Sequence, residues 1–226
     1  MSRLSKKKSD PKPVSPTPLV VNLFGAPGAG KQTASAYLLA MLRMEGVYVE
    51  EIREFGKDRL YRFPENLSSH LQYAYGRACL ALDMLADSVD VVITDSPLPT
   101  YMLSSHPKDF DEVCIKKFDS YNNLNILIDR VKGYDPRNRM YTERESDRKA
   151  EEIQNLLKMH SIKHTVVNGD LDGCNEILSL IFDALSSIAS AEDDDDIDWL
   201  ESLEDLAVTT DDIESIKATD ADTFKF

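Results

Sequence analysis

Leu19 to Thr33, LVVNLFGAPGAGKQT, carries an apolar strand pattern into a glycine-rich turn and then to a lysine at the head of a helix pattern. Gly25, Gly28 and Gly30 let the backbone fold as a nest of N–H groups around a polyphosphate. The helix that follows points its positive end at the same place, and Lys31 adds a full charge. The whole turn, Gly25, Ala26, Pro27, Gly28, Ala29, Gly30, Lys31, Gln32 and Thr33, is therefore the candidate donor-phosphate site. One departure matters for magnesium. Gln32 stands where Ser or Thr usually follows the lysine and holds the metal, and the hydroxyl comes one place later, at Thr33.

Length and composition bound what surrounds this loop. The 226 residues, 42% hydrophobic and 29% charged, suffice for one α/β core with little left for a second. No apolar run approaches the roughly 18 residues of a membrane helix, and the N-terminus has no secretory apolar segment, so a soluble cytoplasmic protein without a membrane partner is expected. Cys79, Cys114 and Cys174 are odd in number and far apart, which supports neither a disulfide framework nor a zinc site. His160 and His164 straddle a predicted helix end and are read as surface or packing residues.

The net charge of −14 is unevenly spread. Residues from Ala191 onward hold 14 acidic and 2 basic side chains, whereas residues 1–18 hold 5 basic and 1 acidic, so a mildly acidic core lies between oppositely charged tails. The expected organisation is a flexible basic arm over 1–17, one domain over 18–190 and an acidic, disordered tail over 191–226. Within that tail Trp199, Leu200, Leu203 and Leu206 keep helical spacing, which suits a short amphipathic helix that forms on a protein partner.

Downstream of the loop, Ala34, Tyr37, Leu38, Met41 and Leu42 predict a helix that Gly46 ends, and Val47 to Ile52 a second strand. Ligands of doubly wound sheets sit beyond the carboxyl ends of the strands, so the charged cluster Arg53 to Lys57 faces the phosphate loop, with Glu54 its best-placed carboxylate. A long helix over Leu67 to Ala86 carries Gln72, Tyr73 and Arg77 outside its apolar stripe, where amide and guanidinium groups can read a base or sugar. Val91 to Thr94 form a third strand ending in Asp95, the arrangement by which enzymes with such loops position magnesium. Helix Phe110 to Phe118 and strand Leu124 to Asp129 follow.

The next segment, RVKGYDPRNRMYTERE, gathers Arg130, Lys132, Arg137 and Arg139 in a Gly/Pro-interrupted stretch, which reads as a mobile basic lid over transferring phosphoryl groups. Glu145 to His160 then read as a charged helix, His164 to Val167 as a fifth strand, and Cys174 to Ile188 as a closing helix.

GAPGAGKQT resembles the loop of adenylate kinases, where the hydroxyl is displaced by one residue in the same way. Over Pro18 to Ser190 that loop, REFGK, LQYAYGRA, ITDSPL and RVKGYDPRNRMYTERESDRKAEEI are together similar to phage-encoded P-loop nucleoside and nucleotide kinases of the thymidylate-kinase-like group. That group includes kinases of 5-hydroxymethyluracil in phage DNA and lies near ribosylnicotinamide kinases. The resemblance implies an α/β fold, a five-stranded parallel sheet with helices on both faces and a mobile basic lid, acting with ATP and Mg2+ in the host cytoplasm. By position it implies that Lys31 and the loop bind the donor phosphates, that Asp95, with Thr33, serves magnesium and that Glu54 is the acceptor-side carboxylate. It implies likewise that Arg137 and Arg139 clamp the transferred group, and Gln72, Arg77 and Lys132 are expected to face the acceptor.

The expected activity is transfer of the γ-phosphate to a hydroxyl of a nucleoside-type acceptor, which includes the hydroxymethyl group of 5-hydroxymethyluracil in DNA. A free nucleoside, a nucleotide or ribosylnicotinamide are the alternatives. An ATP-switched binding protein that engages a partner through its acidic tail is the alternative of another class, disfavoured because a switch needs neither Glu54 nor a lid.

Overall fold

Five short apolar runs become five parallel strands in the computed structural model, which describes residues 17–53, 71–86, 88–104, 106–137 and 141–205, the side chains of Leu71, Gln72 and 191–205 excepted. The basic arm over 1–16 and the tail over 206–226 lie outside the described residues. In chain order the elements are β1 (Leu19–Phe24), α1 (Lys31–Met44), β2 (Val49–Ile52), α2 (Leu71–Leu85), β3 (Val91–Thr94), a 3-10 turn (Leu98–Leu103), α3 (Phe110–Phe118), β4 (Asn122–Asp129), α4 (Glu143–Met159), β5 (Thr165–Asn168) and α5 (Leu171–Asp205). The sheet order is β2-β3-β1-β4-β5, parallel throughout. This is an α/β architecture built on a five-stranded, all-parallel sheet, as expected from the sequence.

β1 lies at the centre and all six of its residues are buried, as a strand covered on both faces must be. Alternation divides it between two layers. Val20 and Phe24 join a core with Ala78 and Leu82 of α2, Cys114 and Phe118 of α3, and Ile153, Leu156 and Leu157 of α4. Leu38 and Leu42 of α1 and Ile177 and Ile181 of α5 are also fully buried, outside that core. Tyr37 ties those two helices, donating to Asn175 Oδ1 at 2.6 Å.

Asn22 is the polar exception in β1, only 2% exposed. Its Nδ2 lies 2.8 and 3.0 Å from the Oδ1 atoms of Asn123 and Asn125 on β4, a rung that a one-residue slip of the sheet would break. It also explains why β4 begins at Asn122 and not at the expected Leu124: the asparagines read as loop but pair across the sheet. α4 likewise begins two residues early, because Thr142 and Glu145 form a capping box that closes its first turn. The turn Leu98–Leu103 was not anticipated; it buries Leu98, Pro99, Tyr101 and Met102, and the hydroxyl of Thr100 donates to Pro97 O at 2.7 Å. The Leu67 end of the second helix lies outside the described residues.

Residues 1–182 form one compact unit and 183–226 a second, whose described part is the run of α5 to Asp205, past the Ile188 at which the apolar spacing ends. No described helix is long and apolar enough to cross a membrane.

Candidate functional site

The loop between β1 and α1 owes its shape to three glycines with positive φ, Gly25 at 151°, Gly28 at 89° and Gly30 at 109°. From Gly28 to Lys31 positive and negative φ alternate, the backbone pattern of an anion-binding nest, and the Ala29 N–H closes the turn on Ala26 O at 3.1 Å. Gly25 is also excluded from carrying a side chain by space: a Cβ there would lie 2.8 Å from the carbonyl oxygen of Ile128 on β4. Gly30 caps α1 without a side-chain bond, and no acidic residue stands in the first turn. No carboxylate of its own thus opposes the positive end of α1, which favours a ligand of opposite charge there. Lys31 folds back across the loop, its Nζ donating to Gly25 O at 2.6 Å and, more weakly, to Ala26 O at 3.4 Å. Gln32 and Thr33, on the first turn of α1, are exposed.

Asp95 follows β3 by one residue and is 3% exposed. Since Asn22 pairs with Thr94, the carboxylate leaves the sheet on the strand next to β1, at the same edge as the loop. Ile52 of β2 also pairs with Thr94, so Arg53 leaves the sheet level with Asp95. The two carboxylates before it are engaged locally. Glu50 pairs with Arg43 at 3.2 Å, and Glu51 accepts from Ser35 Oγ at 2.6 Å and from Arg53 Nε at 2.5 Å. Glu54 lies outside the described residues. Arg77, exposed on α2, lines an open groove of about 460 Å³ with Ile52, Arg53, Ala74 and Tyr101. Gln72 is placed on the same helix, its side chain outside the described residues.

Of the basic segment, Lys132 is exposed, and Arg137 turns onto its near neighbour Asp135, donating to both carboxylate oxygens at 2.7 to 3.1 Å. Arg139 lies outside the described residues. Arg130 is different: its Nη2 meets Asp147 at 2.5 Å and Glu143 at 3.7 Å, and its guanidinium lies 5.4 Å from the Tyr134 ring centre. Tyr134 in turn donates its hydroxyl to Tyr141 O, which folds the segment over itself.

Two residues that the sequence did not single out complete the loop's surroundings. Ser146, fully buried in the first turn of α4, donates its hydroxyl to Pro27 O at 2.7 Å and receives Arg130 Nη1 at 3.1 Å. Gly169, directly after β5, donates to Asp129 O at 2.8 Å and lies against Ala29 and Gly30. The capping box around Thr142 was the available signal for the first, and the Asn168-Gly169-Asp170 turn for the second. Asp170 starts α5, accepting Gly173 N at 2.9 Å. Close by, burial holds the Cys174 thiol above its ordinary pKa, partly offset by the charge of Lys132.

No family model matches the chain, and no curated protein matches it significantly. Among solved structures it is similar to deoxyadenosine kinase from M. mycoides, solved with products dCMP and a flexible dCDP, at 18% identity and a TM-score of 0.46 over 75% of this chain and 99% of that one. It is also similar to the crystal structure of APE1195, at 16% identity and a TM-score of 0.43 over 74% and 96% of the two chains.

Proposed function

We propose that the chain is an ATP-dependent phosphotransferase that passes the γ-phosphate to a hydroxyl of a nucleoside-type acceptor. The observation that carries this reading is the placement of the Gly25 to Lys31 loop and the buried Asp95 at one edge of a parallel sheet, on adjacent strands. Phosphoryl transfer asks little covalent chemistry of a protein and much positioned charge, and this edge concentrates both.

In this reading the N–H groups of the loop and the Lys31 ammonium hold the donor phosphates. The acceptor oxygen attacks the γ-phosphorus, the bond to the β-phosphate oxygen breaks, and ADP leaves. Glu54 takes the acceptor's proton or orients its hydroxyl, Arg137 and Arg139 draw the transferred charge, and Gln72, Arg77 and Lys132 face the acceptor. The residues present fit a hard divalent cation: Asp95 supplies a buried carboxylate oxygen, while Gln32 replaces the usual hydroxyl and leaves Thr33 to supply it. Magnesium bound there would neutralise charge on the donor phosphates.

The sequence resemblance to 5-hydroxymethyluracil DNA kinases favours the hydroxymethyl group of that base in DNA as acceptor, ahead of a free nucleoside, a nucleotide or ribosylnicotinamide. The test is transfer of labelled γ-phosphate to each of these acceptors, with unmodified DNA as control. Label in modified DNA alone supports the full reading, and label in a small acceptor keeps the kinase and replaces the substrate. No transfer and no ATP turnover with any acceptor overturns it.

A further inference from the structure

We propose that Ser146 is a positioning residue for the phosphate loop, holding the peptide between Pro27 and Gly28 in the orientation that donor binding needs. The proposal rests on the kinase reading for its consequence, though not for its geometry.

The hydroxyl of Ser146 has one proton. Pro27 O can only accept, so at 2.7 Å that proton belongs to it, and Arg130 Nη1, which can only donate, is received at 3.1 Å by a lone pair of the same oxygen. The direction of the chain is therefore determined: Arg130 to Ser146 to Pro27. Ser146 itself is fully buried, so water does not compete for its hydroxyl.

A trans peptide places its C=O and N–H on opposite sides of one plane. Anchoring the Pro27 carbonyl against α4 consequently directs the Gly28 N–H away from α4. Gly28 has φ 89°, so its own backbone would not resist a flip of this peptide, as a side chain would. The restraint has to come from outside the loop, and Ser146 supplies it. Arg130 is the far end of the strut. Asp147, Glu143 and the Tyr134 ring hold its guanidinium at the start of α4, where it meets the Ser146 hydroxyl.

The experiment compares wild type with Ser146→Ala, Ser146→Cys and Arg130→Gln in the full chain, following hydrogen exchange of the Gly28 amide without nucleotide, KM for ATP, kcat and the melting temperature. Losing one buried hydrogen bond corresponds to about tenfold in an equilibrium. Ser146→Ala is expected to speed Gly28 exchange and to raise KM for ATP, each about tenfold, with kcat within about threefold of wild type. Ser146→Cys, a weak donor, falls between, and Arg130→Gln adds nothing to Ser146→Ala in the double variant. Unchanged exchange and KM, or a lower melting temperature with KM unchanged, overturn the proposal. If wild type transfers phosphate to no acceptor, the kinase reading fails, while the exchange data still decide the role of Ser146.

Discussion

Gly169 approaches Ala29 so closely that a Cβ on the glycine would lie 2.1 Å from the Ala29 carbonyl oxygen and 2.9 Å from that of Asp129. Both neighbours are backbone, so no rotamer change can relieve the overlap. The turn after β5 is thus a wall of the phosphate loop. Gly169→Ala is expected to push the loop off its nest geometry, costing about 1–3 kcal/mol of stability and at least about tenfold in ATP affinity. Gly76→Ala, on α2 with open space around its Cβ, is the matched control and should stabilise by about 0.5–1 kcal/mol. Denaturant melts and equilibrium ATP binding on both variants check this. Equal ATP affinity in the two would separate the β5 turn from the loop's function.

The Lys31 ammonium already rests on the carbonyls of Gly25 and Ala26, so its charge is placed before a donor arrives. A preorganised charge needs no rearrangement when negative charge develops on the phosphates. Lys31→Met keeps an unbranched side chain, shorter by one atom, and removes the charge, and turnover should fall by roughly 10² or more with the fold intact. Circular dichroism alongside labelled transfer distinguishes this outcome from unfolding. Near-normal turnover would remove Lys31 from the donor site.

The parts of this edge that were legible in sequence are local. Gly25 to Lys31 announces itself because glycine spacing, a preceding apolar strand and a following helix fall within 15 residues, and Asp95 because an apolar strand ends on it. Ser146 meets Pro27 across 119 residues of sequence, and nothing in either neighbourhood encodes the other. Asn22 shows the same limit inside the fold. An asparagine in an apolar strand reads as an imperfection until Asn123 and Asn125 are seen opposite it. The partners of Arg130 were out of reach for a related reason: grouped with Lys132 and Arg137 it reads as lid lining, and Glu143 and Asp147, which pair with it, come 13 and 17 residues later in the chain.

His106 carries a pH dependence. Its Nδ1 lies 2.9 Å from Pro107 O and its Nε2 3.0 Å from Met102 O, and both acceptors are served together only when both ring nitrogens carry protons, which favours the imidazolium. Asp111 Oδ1 adds an ion-pair contact at 3.2 Å from Nε2, with no hydrogen-bond donor of its own, and the Phe110 ring packs at 5.1 Å. The bond to Pro107 foremost, then that to Met102 and the Asp111 charge, raise the pKa above its ordinary 6.5. A raised folded pKa means that the stabilisation is complete below about 6.5 and is lost as pH climbs through the folded value. Wild type should therefore lose more melting temperature between about pH 6 and pH 9 than His106→Asn does. Parallel pH slopes for the two proteins would show that the imidazolium contributes nothing.

In the proposed reaction the acceptor side turns on one carboxylate. In-line attack on a γ-phosphate requires a group within hydrogen-bond reach of the acceptor hydroxyl, and three glutamates lie at or just beyond β2. Glu50 is paired with Arg43, and Glu51 is held by Ser35 and Arg53 with its side chain 9% exposed. Neither can turn to a substrate without breaking those bonds. Ile52 pairs with Thr94, so the chain leaves β2 beside the strand that delivers Asp95, and Glu54 comes two residues later. Glu54→Gln preserves shape and removes charge. It is expected to cut turnover by roughly 10² to 10⁴ while ATP affinity stays near wild type, whereas Glu50→Gln should cost less than about threefold in turnover. Transfer kinetics and ATP binding on both variants decide the matter: full turnover in Glu54→Gln leaves the residue structural, and a loss confined to ATP affinity moves it to the donor side.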